Sequence, residues 1–269
     1  MGKLVSIIMP VYNAQRFISE AINSVLQQSH SNWELLVIND GSSDGTLEII
    51  KTFDDGRIRL FDQPNQGVSA ARNVGLNNMI GDFFCFLDAD DRIPSNSLTS
   101  RLKVFNLDQV IQFVDGIVGV YNEDFSRKLR VWKPSFQGNP FSDLLNLTGN
   151  SFFGPTWMIR RKADVQYAFD EGLTHGEDLL FFMNISRSAD ALYKCTDEEI
   201  LYYRIHSNSA MRSGLENIEK GYIYIYRNIC NWPEITPKMA NGFKKKISSI
   251  MFKSYITNGR VLSALRSIL

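Results

Sequence analysis

The chain has 269 residues, 44% of them hydrophobic, and its 29 basic residues balance its 29 acidic ones. This length suits one large domain or one and a half, and the balanced charge argues against a general nucleic-acid-binding protein. Cys85, Cys195 and Cys230 have no paired spacing, so we expect neither a disulfide framework nor a zinc site, and a reducing cytoplasm is the expected setting. The apolar run before Pro10 is too short for a signal peptide core, and no apolar stretch is long enough to span a bilayer.

The first hundred residues alternate predicted strands and helices. The strands are predicted over Val5–Met9, Glu34–Ile38, Arg57–Phe61 and Phe83–Leu87. The helices are predicted from a cap at Asn13 to about Gln28, from Ser42 or Ser43 through Ile50, and after Gly67. Repeated β-α-β units predict a parallel sheet with right-handed crossovers.

The rest of the chain is less regular. Helices are predicted over Pro94–Phe105 and from Glu177 to about Ser188, and strands near 113–120, 129–132, 156–160 and 201–205. The chain from about Leu215 is predicted to be helical, with a boundary near Ser213. After Glu234 it has no acidic residue but seven basic ones. This tail fits an amphipathic helix on an anionic membrane, and it fits equally a helix packed on the preceding domain with its lysines solvated.

Three carboxylates, Asp88, Asp90 and Asp91, directly follow the fourth predicted strand. In open α/β sheets, ligands bind at the carboxyl ends of the strands. Clustered carboxylates repel one another unless a cation or strong donors offset their charge. Oxygen ligands suit Mg²⁺ or Mn²⁺, which complete their coordination with water and phosphate. The pattern therefore favours a metal-bound nucleotide diphosphate, and the alternative is an acidic turn in which Asp91 caps the next helix.

Other polar and aromatic residues fall on the same predicted edge. Asp40 closes the second strand, where a carboxylate can accept the ring N–H of a base such as uracil. Tyr12 follows the first strand and can stack on a base, and Arg72 can meet a phosphate or base. Ordinary alternatives are a strand-to-helix turn for Asp40, a rim aromatic for Tyr12 and a surface arginine for Arg72.

Four blocks of the sequence form a pattern together: Val5 to Asn13, Asp40-Gly41-Ser42-Ser43-Asp44, Gly67 to Asn73, and Leu87 to Asp91. In their order and spacing they resemble the family 2 inverting glycosyltransferases with the GT-A fold. The resemblance implies an α/β GT-A fold, with a Rossmann-like, mostly parallel central sheet flanked by helices and a C-terminal helical extension. It implies a catalytic domain over residues 1–213, divided into a nucleotide-binding half (1–105) and an acceptor-binding half (106–213), followed by a helical region over 214–269.

The resemblance also implies roles for residues of the nucleotide site. Those that would hold the base, usually uracil, are Pro10, Tyr12 and Asp40. Arg72 matches a nucleotide-site arginine, and Asp88 matches the carboxylate that faces the ribose. Asp90 matches the carboxylate that binds Mn²⁺ or Mg²⁺, and Asp91 a commonly acidic neighbour.

Two later motifs fit the same family. Gly176-Glu177-Asp178 resembles its Glu-Asp motif, in which Asp178 would be the base that takes the acceptor proton and Glu177 would orient the acceptor. The alternative is a helix start whose acids complement the helix dipole. In the loop after the last predicted strand, His206 would be a third metal ligand or a diphosphate contact. Arg204 and Ser207 would meet phosphate oxygens, unless this is simply a surface loop.

The function that follows is metal-dependent, inverting transfer of a sugar from a UDP-sugar to a hydroxyl of a glycan or lipid-linked acceptor. The expected pathway is bacterial lipopolysaccharide, O-antigen or capsule synthesis, and the expected location is the cytoplasm, with peripheral membrane contact as an option and no nucleic-acid partner. A catalytically silent nucleotide-binding scaffold is one alternative, but it would be expected to lack the carboxylate of Asp90 or Asp178. A Rossmann oxidoreductase is another, but Gly-x-Gly-x-x-Gly is missing after the first strand.

Overall fold

The computed structural model describes residues 2–206 and 214–266. The strands in these ranges are β1 (Val5–Val11), β2 (Trp33–Asp40), β3 (Ile58–Gln63), β4 (Phe83–Phe86), β5 (Ile111–Tyr121), β6 (Lys128–Trp132), β7 (Met158–Arg160) and β8 (Leu192–Arg204). The helices are α1 (Ile18–Leu26), α2 (Thr46–Ile50), α3 (Val68–Asn78), α4 (Ser97–Phe105), α5 (Phe141–Leu145), α6 (Glu177–Ile185), α7 (Leu215–Ile229), α8 (Pro237–Thr257) and α9 (Val261–Arg266).

The strands form a single sheet in the order β3-β2-β1-β4-β7-β5-β6, with β8 paired to β5. β1 to β4 are parallel neighbours, and β5 and β8 are also parallel. β7 runs antiparallel between β4 and β5 and so joins the two halves. This arrangement places the carboxyl ends of β1, β2 and β4 along one edge, as the β-α-β pattern predicts.

Alternating side chains of the parallel strands fill a core on each face of the sheet. Ile8, Leu36 and Phe84 belong to one buried cluster, whereas Ile7 and Leu35 belong to the other. Such strands are buried on both faces, which explains their continuous apolar sequence. Full burial of each large apolar side chain stabilises the fold by roughly 1.5–3 kcal/mol.

The C-terminal helices pack on the same core. Phe243, Ile247 and Met251 of α8 join the cluster that contains Phe181 and Phe182 of α6. The structure therefore shows the basic tail packed on the preceding domain, which was one of its two interpretations. Three of its lysines remain exposed: Lys245, Lys246 and Lys253. The expected boundary at Ser213 lies outside the described residues. Within the described part, no helix combines the length and the apolar character needed to cross a membrane.

Two predicted helix starts are wrong. Asn13 does not cap α1, which begins at Ile18; its backbone has φ +49°, and its Oδ1 accepts the N–H of Ser43 at 2.8 Å. α2 begins at Thr46 rather than after Ser42 or Ser43. The cause is shared, because the loops after β1 and β2 satisfy their polar groups by bonding to each other rather than to helix ends.

Other boundaries also differ from the sequence prediction. The strand expected over 201–205 is the end of the longer β8, which begins at Leu192. α6 ends at Ile185, three residues before the predicted end, and α5 was not predicted. α5 has only five residues, too few to show a helical period in the sequence.

Asp115 of β5 gives the fold a pH-dependent stability. It is fully buried and accepts hydrogen bonds from the Gly116 N–H at 2.8 Å and the Tyr193 hydroxyl at 3.2 Å. Burial raises the pKa of Asp115 to about 7. The unfolded chain, with an aspartate pKa of about 3.9, binds fewer protons between these values, so this carboxyl lowers stability as pH rises from about 4 to 7.

We expect Asp115→Asn to remove this dependence. The free energy of unfolding of the variant, relative to wild type, should increase by up to about 4 kcal/mol between pH 4 and pH 8. Urea denaturation of both proteins at the two pH values measures this difference and cancels the titration of other groups. If the free energy of unfolding of the variant relative to wild type is the same at both pH values, Asp115 titrates in the folded protein as it does in the unfolded chain.

Candidate active site

Carboxylates from distant parts of the chain meet around Arg72 at the sheet edge. Arg72 lies on α3 with its side chain 5% exposed. Its Nη2 lies 3.2 Å from Asp88 Oδ1, just beyond β4, and its Nη1 lies 3.3 Å from Glu177 Oε1 at the start of α6. The guanidinium also lies over the Phe169 ring at 5.1 Å. One buried cation thus holds together the two acidic motifs that the sequence singled out.

A cavity of about 810 Å³, here called the edge cavity, opens beside this pair of motifs. Seven of its lining residues are predicted site residues: Pro10, Tyr12, Arg72, Asp88, Asp90, Glu177 and His206. Tyr12 is 55% exposed at the cavity, which leaves its ring available for stacking. The edge cavity is large enough for a nucleotide-sized ligand.

Asp90 and His206 face each other in the edge cavity. His206 Nε2 lies 2.9 Å from Asp90 Oδ2, and the two side chains are 8% and 34% exposed, respectively. Burial, and next the charge of Asp88, raise the pKa of Asp90. Over residues 2–206 and 214–266, no group of three or more His, Cys, Asp or Glu residues is placed to hold a metal. One carboxylate and one imidazole still fit Mn²⁺ or Mg²⁺, since these ions take their other ligands from water and substrate phosphates.

Arg204 and Asp91 lie behind the edge cavity. The Arg204 side chain is 2% exposed, and its Nε donates to the Asp90 carbonyl at 2.6 Å while its Nη2 donates to Glu20 at 2.7 Å. Its backbone N–H donates to buried Asp91 at 2.8 Å. Burial raises the pKa of Asp91 well above its usual range. These contacts fix the Asp90 backbone, and the predicted phosphate contact of Arg204 stays a prediction.

Asp40 is also set back from the edge cavity. It is 3% exposed, and its carboxylate accepts the side-chain amide of Gln63 at 2.7 Å and the backbone N–H groups of Gln66 at 2.9 Å and Gly67 at 2.8 Å. It therefore shapes the loop that leads into α3, and its predicted contact with a base remains a prediction. Ser207, the other predicted phosphate contact, lies outside the described residues.

Glu177 and Asp178 form a pair of adjacent carboxylates at the start of α6. Burial, and next the charge of Asp178, raise the pKa of Glu177 to about 7. Burial also raises the pKa of Asp178, against the attraction of Arg72. Asp178 Oδ1 accepts the N–H of Leu179 at 2.7 Å, which orients the carboxylate. A carboxyl pair with raised pKa values is suited to accept a proton near neutral pH.

If this pair supplies a general base, turnover should depend on pH. The base must be ionised, and burial raises the pKa of Asp178, so kcat should fall about tenfold per pH unit below this raised pKa and should level off above it. Initial rates at saturating donor between pH 4.5 and 8.5 measure this profile. A rate that is constant down to pH 4.5 would contradict a base with a raised pKa.

Two further cavities adjoin the acidic pair. One, here called the apolar cavity, has a volume of about 570 Å³ and lies among α5, α6, α7 and α8. The other, here called the inner pocket, has a volume of about 190 Å³ and lies behind Arg72 and Asp88. Glu177 lines both of these and the edge cavity as well, so all three spaces adjoin this residue.

The sequence did not point to several residues of these spaces. Arg16 and Phe17 line the edge cavity because the segment before α1 forms turns instead of a helix. Phe153 and Tyr203 line the inner pocket, with ring centroids 5.3 Å apart. Phe153 lies in an irregular segment without a motif, so no local signal could have identified it.

Comparison with known proteins agrees with this geometry. Residues 6–167 match the family described as Glycosyl transferase family 2. The chain is 43% identical over 122 residues to the Escherichia coli UDP-Glc:alpha-D-GlcNAc-diphosphoundecaprenol beta-1,3-glucosyltransferase WfgD, a match that covers 45% of this chain and 48% of WfgD. Like WfgD, several other curated relatives are more than twice as long as the segment they share with this chain.

Solved structures show the same fold. The Staphylococcus aureus TarS structure with UDP-GlcNAc superposes with a TM-score of 0.70 at 20% identity, covering 94% of this chain and 73% of that one. The Pyrobaculum calidifontis mannosyltransferase PcManGT, in complex with GDP-Man and Mn²⁺, superposes with a TM-score of 0.64 at 15% identity, covering 94% of this chain and 75% of that one. The expected GT-A fold is thereby confirmed. Since the family match covers more than half of the residues, the chain belongs to glycosyltransferase family 2.

Proposed function

We propose that this chain transfers a hexose, with inversion, from a UDP-sugar to a hydroxyl of a lipid-linked glycan in the synthesis of a bacterial surface polysaccharide. The observation that carries the proposal is the meeting of two acidic motifs at Arg72, which puts Asp88, Asp90 and Glu177 on the lining of one cavity, with Asp178 next to Glu177 in the chain. WfgD uses UDP-Glc and a diphosphoundecaprenol-linked acceptor, and this relative supports both halves of the substrate assignment.

In this proposal the edge cavity binds the donor. The base stacks on Tyr12, the sugar lies toward Glu177, and Asp88 faces the ribose. Asp90 and His206 would hold Mn²⁺ or Mg²⁺, which supplies positive charge to the departing diphosphate. Arg72 lowers the repulsion between Asp88 and Glu177, so both carboxylates can remain close to the reacting sugar.

The chemical step is a single displacement. Asp178 takes the proton from the acceptor hydroxyl as the oxygen forms a bond to the anomeric carbon. The bond between that carbon and the diphosphate oxygen breaks on the opposite face, and the diphosphate leaves with its electron pair. Glu177, already paired with Arg72, positions the acceptor instead of accepting the proton. Its place at the junction of the three spaces supports this division of roles.

A panel of nucleotide sugars tests the donor assignment. Purified protein is incubated with Mn²⁺ and UDP-, GDP- or ADP-linked sugars, and release of nucleoside diphosphate is measured with and without a GlcNAc-diphosphate-lipid acceptor. We expect acceptor-dependent release of UDP only. Preferential release of GDP would instead indicate a GDP-sugar donor, such as the GDP-Man bound in the PcManGT structure. Binding without release from any sugar would favour the silent scaffold.

We also propose that the basic tail contacts anionic membranes. Among the described side chains of α8 and α9, several are both apolar and substantially exposed: Phe252, Ile256, Val261 and Leu262. Exposed lysines lie on α8, and anionic lipids attract their positive charges. Full-length protein should bind anionic vesicles at low salt, and binding should weaken as salt rises. If it ignores such vesicles at low salt, the tail serves only to pack on the core.

A further inference from the structure

The apolar cavity shares Glu177 with the edge cavity, and it is also lined by Asp178, which the edge cavity is not. Its walls include Leu144 of α5, Ile218 and Tyr222 of α7, and Ile250 of α8. Asp143 also lines it, but its carboxylate accepts the Ser151 hydroxyl at 2.6 Å and the Ser151 N–H at 3.0 Å, so its polarity is satisfied within the protein. The walls are therefore largely apolar, and the remaining polar lining is concentrated in the segment of Thr174, His175, Glu177 and Asp178, here called the acidic end.

This combination is unusual for a site that binds only sugar. A sugar hydroxyl needs polar partners, and these are concentrated at the acidic end, whereas the remaining wall would gain from covering an apolar group. The cavity also adjoins the donor site, because Val68 and Glu177 line both spaces. A ligand in the apolar cavity can therefore place one group beside the reacting sugar and keep an apolar portion between α5, α7 and α8.

Lysines near Ile250 narrow the chemistry of that ligand. Ile250 lines the cavity from α8, and Lys246 and Lys253, here called the rim lysines, lie one helical turn to either side of it and are exposed. The chain has no acidic residue after Glu234, so nothing on α8 offsets these charges. An anionic group joined to an apolar chain fits this arrangement, since lysines attract the anionic group and the apolar wall covers the chain.

We propose that the apolar cavity binds the isoprenoid diphosphate portion of the acceptor. The acceptor sugar lies at Glu177 and Asp178, the diphosphate lies near the rim lysines, and the first isoprene units contact Ile218, Tyr222 and Ile250. This inference rests on the proposed function for its acceptor. It adds that two helices of the C-terminal region, α7 and α8, contact the lipid. Binding through these contacts favours a lipid-linked acceptor over a free saccharide.

Two isoleucines provide the test. Ile250 lines the apolar cavity, whereas Ile80 is 63% exposed and lies outside it. Calorimetry measures the affinity of farnesyl diphosphate for wild type, Ile250→Gln and Ile80→Gln, with UDP and Mn²⁺ present at saturation to fill the donor site. We expect Ile250→Gln to weaken binding about tenfold and Ile80→Gln to leave it unchanged. Inorganic diphosphate, which lacks the lipid, should not distinguish the two variants.

The outcomes separate this inference from the proposed function. Failure of wild type to bind farnesyl diphosphate, or equal affinities for the two variants, overturns the lipid site. Failure of UDP to bind in the same samples instead overturns the donor assignment. If Ile250→Gln does not fold, Leu147→Gln in the same cavity replaces it, with circular dichroism as the check. Unchanged binding in that variant would equally overturn the lipid site.

Discussion

Asp178→Asn should lower turnover by about 10²–10⁴-fold, the usual contribution of a general base. The substitution keeps the size of the side chain and an oxygen that can accept the Leu179 N–H, so α6 should keep its start. Burial raises the pKa of Asp178, which means that the folded protein disfavours its charged form. A neutral asparagine at this position should therefore not destabilise the fold. Rates at saturating donor and acceptor measure the loss, and calorimetry with UDP should show nearly unchanged affinity.

Glu177→Gln is the matched control for that prediction. It changes the neighbouring carboxylate by the same chemistry, but it breaks an ion pair with Arg72 instead of removing the base. We expect it to raise the KM for the acceptor more than it lowers kcat. If instead Glu177→Gln loses turnover as strongly and Asp178→Asn is nearly normal, the two roles are exchanged and the mechanism proposed here is wrong.

Asp90→Asn should lower activity by at least about a hundredfold and remove its dependence on added metal. Asparagine keeps a neutral oxygen but loses the negative charge that favours a divalent cation over water. EDTA should reduce wild-type activity to the same level, and excess Mn²⁺ should restore only the wild type. The comparison variant is Asp124→Asn, which alters an exposed carboxylate that bonds to Ser126. It should behave as wild type.

His206→Ala separates two roles at the same position. Because His206 Nε2 lies 2.9 Å from Asp90, loss of a true metal ligand should raise the Mn²⁺ concentration needed for activity. Loss of a diphosphate contact should instead weaken UDP binding at saturating Mn²⁺. Activity that survives both Asp90→Asn and chelation would exclude the proposed metal role.

The sequence predicted the edge of the sheet well because strands leave strong local signals. Short apolar runs defined β1, β2 and β4, and parallel connectivity then placed Tyr12, Asp40 and Asp88 near the ends of neighbouring strands. What it could not predict was the direction of each polar side chain. Asp40 bonds to the Gln66 and Gly67 backbone, a contact fixed by the shape of a loop that has no period.

Long-range contacts explain the remaining differences. Arg204 is the last residue of β8, but the direction of its side chain depends on Glu20 and Asp90, which are 184 and 114 residues away in the chain. Asn13 does not form the predicted helix cap because its side chain accepts a hydrogen bond from the Ser43 N–H. This contact joins two loops that are distant in the chain, so local propensity could not predict it. The apolar cavity likewise requires side chains from α5, α7 and α8 together, so composition alone indicated a basic helical tail but not the space beneath it.

The anomeric configuration of the product tests the central claim most directly. A single displacement by an acceptor hydroxyl, with Asp178 as base, must invert the anomeric carbon. An α-linked UDP-sugar should therefore give a β-linked product, which the NMR spectrum of the isolated glycan identifies from its anomeric proton. A product that retains the α configuration would contradict the single displacement and the role of Asp178 together.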